Sequence, residues 1–305
     1  MTVEVEGLRK SFGERVVLGG IDFTVPDGTT FALLGPNGAG KTTAVRILST
    51  LIRFDGGRVT VGGHDLRREP EAIRRMIGVT GQFSAVDDLL TGAENLELMA
   101  DLHHVGRAAR RDRVAALLDR FDLVEAAGRA ASTYSGGMRR RLDLAMTLIG
   151  RPRLIFLDEP TTGLDPRSRR MMWQTVRDLV ADGVTIFLTT QYLEEADQLA
   201  GRVALLDGGR IVADGTPAEL KRRVPGGHVR LRFADAGTLG AAAALFTDGE
   251  RDDDGLSLRL PAAKPRELLD RLDRAGIEAE ELSVHSPDLE DVFLALTGRT
   301  AEVAP

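Results

Sequence analysis

Polar and apolar residues alternate through residues 2–33, in "TVEVEGL", "VVLGGIDFTV" and "TTFALL", with Gly and Asp-Gly breaks between them. This two-residue period predicts short strands. "GRVTVGG" (57–63) repeats the pattern. From Glu94 to Gly150 the period lengthens. "ENLELMADLHHV", "RRDRVAALLDRF" and "GGMRRRLDLAMTLIG" place apolar residues three to four apart, which predicts helices. Two strong strand signals follow, "RLIFLDEP" (153–160) and "VTIFLTT" (184–190), separated by the helical "PRSRRMMWQTVRDLVADG" (166–183). "RVALLDGGRI" (202–211) reads as a further strand with a hairpin turn. Strand–helix alternation of this kind predicts an α/β fold, a parallel sheet covered by helices.

The pattern breaks near "LKRRVPGGHV", where Pro225, Gly226 and Gly227 read as a linker. Beyond it, "HVRLRFAD", "LSLRL" and "IEAEELSVH" predict strands, and "TLGAAAALF", "PRELLDRLDRAG" and "DLEDVFLALTG" predict helices. The expected organisation is a main α/β domain over residues 1–222, with a helical subdomain at about 84–150, and a small α+β domain over 228–300. The final "RTAEVAP" is expected to be a frayed tail.

Composition narrows the picture without redirecting it. The 305 residues suit one large domain and one small one, and 43% hydrophobic residues can supply a core. With no cysteine, disulfides, thiolate metal sites and a Cys nucleophile are excluded. A formal charge of −6 argues against a general nucleic-acid binder. No apolar run approaches the ~20 residues of a membrane helix. The N-terminus lacks the apolar core of a signal peptide. Any membrane role is therefore expected to be peripheral or through partners.

Candidate chemistry begins at "GPNGAGKTT", residues Gly35, Pro36, Asn37, Gly38, Ala39, Gly40, Lys41, Thr42 and Thr43. It follows a strand signal, precedes a helix signal and fits Gly-x-x-x-x-Gly-Lys-Ser/Thr. Its glycines let the backbone curl so that N–H groups face inward, and the helix N-terminus adds partial positive charge. Lys41 can reach the β- and γ-phosphates of a nucleotide, and the Thr42 hydroxyl can ligate Mg²⁺. In "LIFLDEP", two carboxylates stand at a strand tip. Asp158 suits Mg²⁺, which prefers oxygen ligands and keeps part of its water shell. Glu159 can orient an attacking water and take its proton. The chain has only two asparagines, Asn37 and Asn95, and no Asn-Lys-x-Asp motif, which favours ATP over GTP. A third feature, "TYSGGMRRRLDLAMTL", opens a helix at Ser135, Gly136 and Gly137, a second anion-binding helix start. One γ-phosphate is not readily served by both ends within one chain, whereas a second copy of the protein supplies the other end.

On these motifs, over about residues 2–220, the chain resembles the nucleotide-binding subunits of ABC transporters. The resemblance implies a P-loop ATPase core with a helical signature subdomain, and two subunits that sandwich two ATP molecules, each held by one phosphate loop and the partner's signature. It implies a catalytic set of Lys41, Gln82, Glu159 and Gln191, and Mg²⁺ held by Thr42, Gln82 and Asp158. It further implies that Asp165, in "TTGLDP", couples the two sites. Residues 83–95 are expected to face an integral membrane permease at the cytoplasmic face of the cell membrane. Phe12 falls where the family stacks an aromatic on adenine; a core or hairpin phenylalanine is the other reading. Nucleic acid is not an expected partner.

Two positions depart from the common pattern. Met138 stands where the family most often has glutamine, and Gln191 where most members have histidine. The run "TTQYLEEAD", with the C-terminal "LEDVFLALTG", is similar to the daunorubicin/doxorubicin-resistance class of drug-exporter ATPases. That class implies export of a drug or antibiotic, against an importer subunit or a non-transport ATPase acting on ribosomes or DNA. Other residues attract simpler readings. His103 and His104 diverge by about 100° on a helix and cannot share a metal. "DGERDDDG" (248–255) reads as a solvated hairpin. Trp173, Met171 and Met172 read as helix packing. Arg139, Arg140 and Arg141 read as a surface or dimer-interface run rather than a nucleic-acid contact.

Overall fold

A computed structural model describes residues 3–81, 85–224, 227–261, 265–285 and 287–297. The chain divides into two compact units, one ending at Pro217 and the other starting at Ala218. Sequence places this boundary near residue 222; Pro225 and Gly226 of the expected linker lie outside the described residues.

The first unit opens with β1 (Val3–Phe12), β2 (Arg15–Val25), β3 (Thr30–Leu34), α1 (Lys41–Leu48), β4 (Gly56–Val61), β5 (His64–Asp65), α2 (Pro70–Arg74) and β6 (Ile77–Thr80). The helical stretch holds α3 (Gly92–Leu102), α4 (Arg107–Arg120) and α5 (Gly136–Leu148). Then come β7 (Leu154–Asp158), α6 (Pro166–Ala181), β8 (Thr185–Thr190), α7 (Leu193–Leu199), β9 (Arg202–Asp207), β10 (Arg210–Gly215) and α8 (Pro217–Lys221), which crosses the unit boundary.

The strands form two sheets rather than one. β2-β1-β4-β5 is antiparallel, and the six-stranded sheet runs β10-β9-β3-β8-β7-β6. All neighbours in the larger sheet are parallel except β9 and β10. Connection length sets strand direction within each sheet. Phe12 pairs with Arg15 across a tight turn, and so short a turn joins only antiparallel strands. The parallel strands are instead joined by crossovers that contain helices. Between the sheets, Phe23 of β2 stacks on Phe31 of β3 at 5.1 Å, and Phe31 on Phe187 of β8 at 5.4 Å. Phe156 of β7 extends the row. Ala44, Val45, Ile47 and Leu48 of α1 pack into the same core.

β3, β7 and β8 are buried along their whole length, so their C-terminal ends form a fixed edge. Open parallel sheets bind ligands at that edge. β6 escapes the sequence pattern because it is short and carries Gly78. A Cβ there would lie 2.3 Å from Thr147 of α5, so the glycine is what lets α5 pack onto the strand.

The second unit contains β11 (His228–Arg232), α9 (Ala236–Leu245), β12 (Glu250–Asp252), β13 (Ser257–Pro261), α10 (Pro265–Ala275), β14 (Glu281–His285) and α11 (Leu289–Thr297). Its antiparallel sheet has the order β12-β13-β11-β14. Leu231, Phe233, Phe246, Leu258, Leu268 and Leu272 bury its core. The acidic 248–255 stretch is exposed at β12 and the turn after it, as expected of a hairpin.

Candidate functional site

β3 ends at Leu34, and the chain curls through Gly35–Gly40 into α1. The curl depends on particular glycines. A Cβ on Gly35 would sit 2.2 Å from the carbonyl oxygen of Leu206. Gly40 has φ +113°, and a Cβ there would meet Leu18 at 2.8 Å. Gly40 is also the N-cap of α1, and no side chain caps this end. The first N–H groups of the helix, which have no partner within it, are therefore left to an external acceptor.

Lys41 is the first residue of α1 and is 4% exposed. Its ammonium donates to the carbonyls of Gly35 (2.8 Å) and Pro36 (3.1 Å) and lies 3.3 Å from a Glu159 carboxylate oxygen. Burial pulls its pKa below that of an ordinary lysine, and the Glu159 and Asp158 charges oppose that pull. The loop is thus built around a dehydrated cation, a strong attractor for phosphate oxygens.

The registers align the carboxylates with this loop. Asp158 of β7 pairs with Thr189 of β8, and Thr190 pairs with Leu34. The Gly35 N–H donates to the Thr190 carbonyl at 3.2 Å, so Gln191, the next residue, emerges beside the start of the loop. Gln191 is half-buried. The Thr42 hydroxyl donates to Asp158 at 3.2 Å, and the Thr189 hydroxyl donates to the same oxygen at 2.5 Å. Thr42 and Asp158 offer hard oxygen donors side by side, a set that fits Mg²⁺ with water completing its shell.

Glu159 has φ +51°, a conformation uncommon for a residue with a side chain. Its N–H donates to the Thr189 carbonyl at 3.0 Å, which holds that conformation. Thr189 therefore holds the Asp158 carboxylate through its hydroxyl and the Glu159 backbone through its carbonyl, a role that sequence does not reveal. The only hint is a polar pair, Thr-Thr, at the end of an apolar strand.

The second helix start is built differently. Ser135 is the N-cap of α5, and its hydroxyl accepts from the Met138 N–H at 3.2 Å. Ser135 and Gly136 are exposed. Gly137 is buried, and a Cβ on it would lie 2.5 Å from the Ser168 hydroxyl of α6. Asp165 caps α6 by accepting from the N–H groups of Arg167 and Ser168 and from the Ser168 hydroxyl. The two helix starts, 135–137 and 165–168, thus lie against each other. Asp165 is engaged there rather than at the loop of its own chain.

Phe12 is 53% exposed, with the Lys10 ammonium 5.0 Å from its ring centre. It is therefore no core residue. Its hairpin leads into Val17 and Leu18, which lie over Gly40. Gln82 and Phe83 lie outside the described residues.

The arginine run forms no free basic patch. Arg139 pairs with Asp88, Arg140 turns inward, and Arg141 lies 3.9 Å from Asp122. Sequence also misses Glu195 of α7, which is fully buried and accepts from the Thr161 hydroxyl (2.8 Å) and the Trp173 indole (3.2 Å). Trp173 therefore anchors this carboxylate as well as packing its helix. In the second unit His285, Asp288 and Asp291 cluster, but their contacts close the start of α11.

Residues 18–162 match the family model described as ABC transporter. Residues 215–297 match the C-terminal domain of the ATP-binding protein DrrA1-3-like family. The daunorubicin resistance ATP-binding protein DrrA3 of Streptomyces coeruleorubidus is 50% identical, over 97% of this chain and 96% of its own. The daunorubicin/doxorubicin resistance ATP-binding protein DrrA of Streptomyces peucetius is 47% identical, over 98% and 93%. A solved dimeric ATP-binding cassette, in a post-hydrolysis state with ADP and Pi, superposes with a TM-score of 0.64 at 26% identity, over 70% of this chain and 98% of that one.

Proposed function

The chain belongs to the ABC-transporter ATP-binding subunits of the daunorubicin/doxorubicin-resistance class, and from that premise we propose that it powers export of a drug or antibiotic through a separate integral membrane subunit. It is an ATPase, forming ADP and phosphate. One observation carries the site assignment: a buried lysine, a hydroxyl and two carboxylates converge where an uncapped helix start meets the tips of β3 and β7.

In this reading the loop N–H groups and Lys41 hold the β- and γ-phosphates of ATP. An arriving phosphate competes with Glu159 for the Lys41 ammonium, which leaves the carboxylate to take the proton of the attacking water. Thr42 and Asp158, with Gln82, would hold Mg²⁺, which when bound neutralises charge on the phosphates. The amide of Gln191 can donate to a phosphate oxygen and accept from water, without the titration near pH 6.5 that an unperturbed histidine brings. Catalysis of this kind is mainly positioning and charge stabilisation.

The helix start at Ser135, Gly136 and Gly137 is assigned to the nucleotide of a second copy, with Asp165 coupling the two sites. Exposed Phe12 is assigned to adenine. Residues 83–95 are assigned to the membrane subunit, at the cytoplasmic face of the cell membrane. Among the described residues no helix is long and apolar enough to cross a membrane, and the proposal gives that crossing to the partner.

Glu159→Gln should keep ATP binding and ATP-dependent dimerisation while turnover falls by about 10²–10⁴, the loss typical of a positioned base. Near-normal turnover would remove Glu159 from the mechanism. Co-purification with ribosomes or DNA in place of a polytopic membrane protein would overturn the export assignment.

A further inference from the structure

Arg140 follows the first turn of α5, yet it is directed into the protein. Its guanidinium donates to three backbone carbonyls: Gly81 (2.8 Å), Pro160 (3.0 Å) and Asp158 (3.3 Å). It also pairs with Asp143, one turn further along the helix, at 3.3 Å. The other Asp143 oxygen accepts from the Ala85 N–H at 3.1 Å. The Arg140 and Asp143 side chains are 12% and 3% exposed. Burying an ion pair is costly and is a poor means of adding stability. Its placement suggests a different use.

Asp158 and Pro160 flank Glu159. Arg140 therefore grips a carbonyl on each side of a residue held at φ +51°. Thr189 holds the Glu159 N–H from the neighbouring parallel strand. Three carbonyls approaching from separate directions suit a planar fork with several donors, and a lysine ammonium does not reproduce that geometry.

We infer that Arg140 is a positioning residue for Glu159, fixing the backbone from which the carboxylate projects. It stands on the same helix whose first turn is assigned to the partner's nucleotide. The inference rests on the reading of Glu159 as the base.

The test uses the purified full-length chain with ATP and Mg²⁺. Arg140→Met should lower kcat about tenfold or more, with a far smaller change in KM, as expected when geometry at the reacting centre is lost. In a Glu159→Gln background, followed by single-turnover assay, the same substitution should cost nothing further, because two residues acting through one group are non-additive. Equal fractional losses in both backgrounds would overturn the inference. Arg140→Lys should stay impaired; full recovery would mean that only the Asp143 charge needed balancing, and would also overturn it. If Arg140→Met does not fold, Arg140→Lys carries the same cycle. Normal turnover in Glu159→Gln alone would sink the site reading itself, whereas a large loss there beside normal Arg140 variants would sink only this inference.

Discussion

Two helix starts in the first unit have similar glycine-rich sequences but different surroundings. α1 begins at Gly40, with no side-chain cap, over a buried lysine and within reach of two carboxylates. α5 begins at Ser135, which caps its own helix from an exposed position, and its neighbour is the start of α6. Both carry the partial positive charge of a helix N-terminus. Only the first is surrounded by groups that can do chemistry. A helix start set into a sheet edge can serve its own chain. One on the surface can contribute only to a phosphate brought from outside, which is the role the dimer proposal assigns to it.

Lys41→Ala tests the first helix start and should have the largest effect of the three substitutions that probe this contrast. It removes the cation from the loop and leaves Glu159 without its 3.3 Å partner. Turnover should fall by about 10²–10³, the usual cost of one charge-stabilising donor, and ATP affinity of the isolated chain should weaken with it. Unchanged affinity in a nucleotide-binding titration would break the comparison.

Ser135→Ala tests the second helix start. Loss of the cap should cost about 1 kcal/mol of stability. ATP affinity of the monomer should be preserved, while turnover falls at protein concentrations where copies associate. If monomer affinity drops as it does for Lys41→Ala, the two starts serve one chain and the contrast is wrong.

Glu195→Gln probes the packing of α7 against α6, away from both helix starts' own contacts, and should have the smallest effect. Burial pushes the Glu195 carboxyl up, despite hydrogen bonds from Thr161 and Trp173 that lower it. The folded state therefore favours the neutral acid. A group with a raised folded pKa contributes stability that is fully present below its unfolded pKa and lost as pH rises through the folded value. Wild-type stability should thus decline with rising pH relative to the variant, read as a Tm difference that falls as pH rises. Parallel Tm curves for the two proteins between about pH 4 and about pH 8 would show that this carboxyl does not titrate with folding.

Much of this was readable beforehand, but unevenly. Strands β1, β3, β7 and β8, helices α3–α6, and β11, β13, β14, α10 and α11 of the second unit follow the apolar pattern closely. β6 does not, because Gly78 is there to admit α5, a packing need set by Thr147 far along the chain. Of the catalytic and Mg²⁺ residues that the sequence suggests, Lys41 lies against Glu159 and Thr42 against Asp158, while Gln82 lies outside the described residues. The run Arg139–Arg141 reads in sequence as a surface or dimer-interface feature, and Arg140 departs from it. What turns Arg140 inward is the carbonyl of Gly81, 59 positions away, together with those of Asp158 and Pro160.

By itself the sequence determined what operates over a few residues: the turn geometry of the glycine loop, the cap at Ser135, the carboxylates after an apolar strand, and the helix and strand periods. Backbone sterics and nearest-neighbour hydrogen bonding decide these, and both act locally. Only the tertiary structure decided that β1, β2 and β4 stand in a sheet apart from the parallel one, that Thr189 holds both the Asp158 carboxylate and the Glu159 N–H, and that Arg140 holds the backbone around Glu159. Those outcomes depend on sheet register and on which buried polar groups must find partners across the core. Such requirements arise only once distant segments have been packed together.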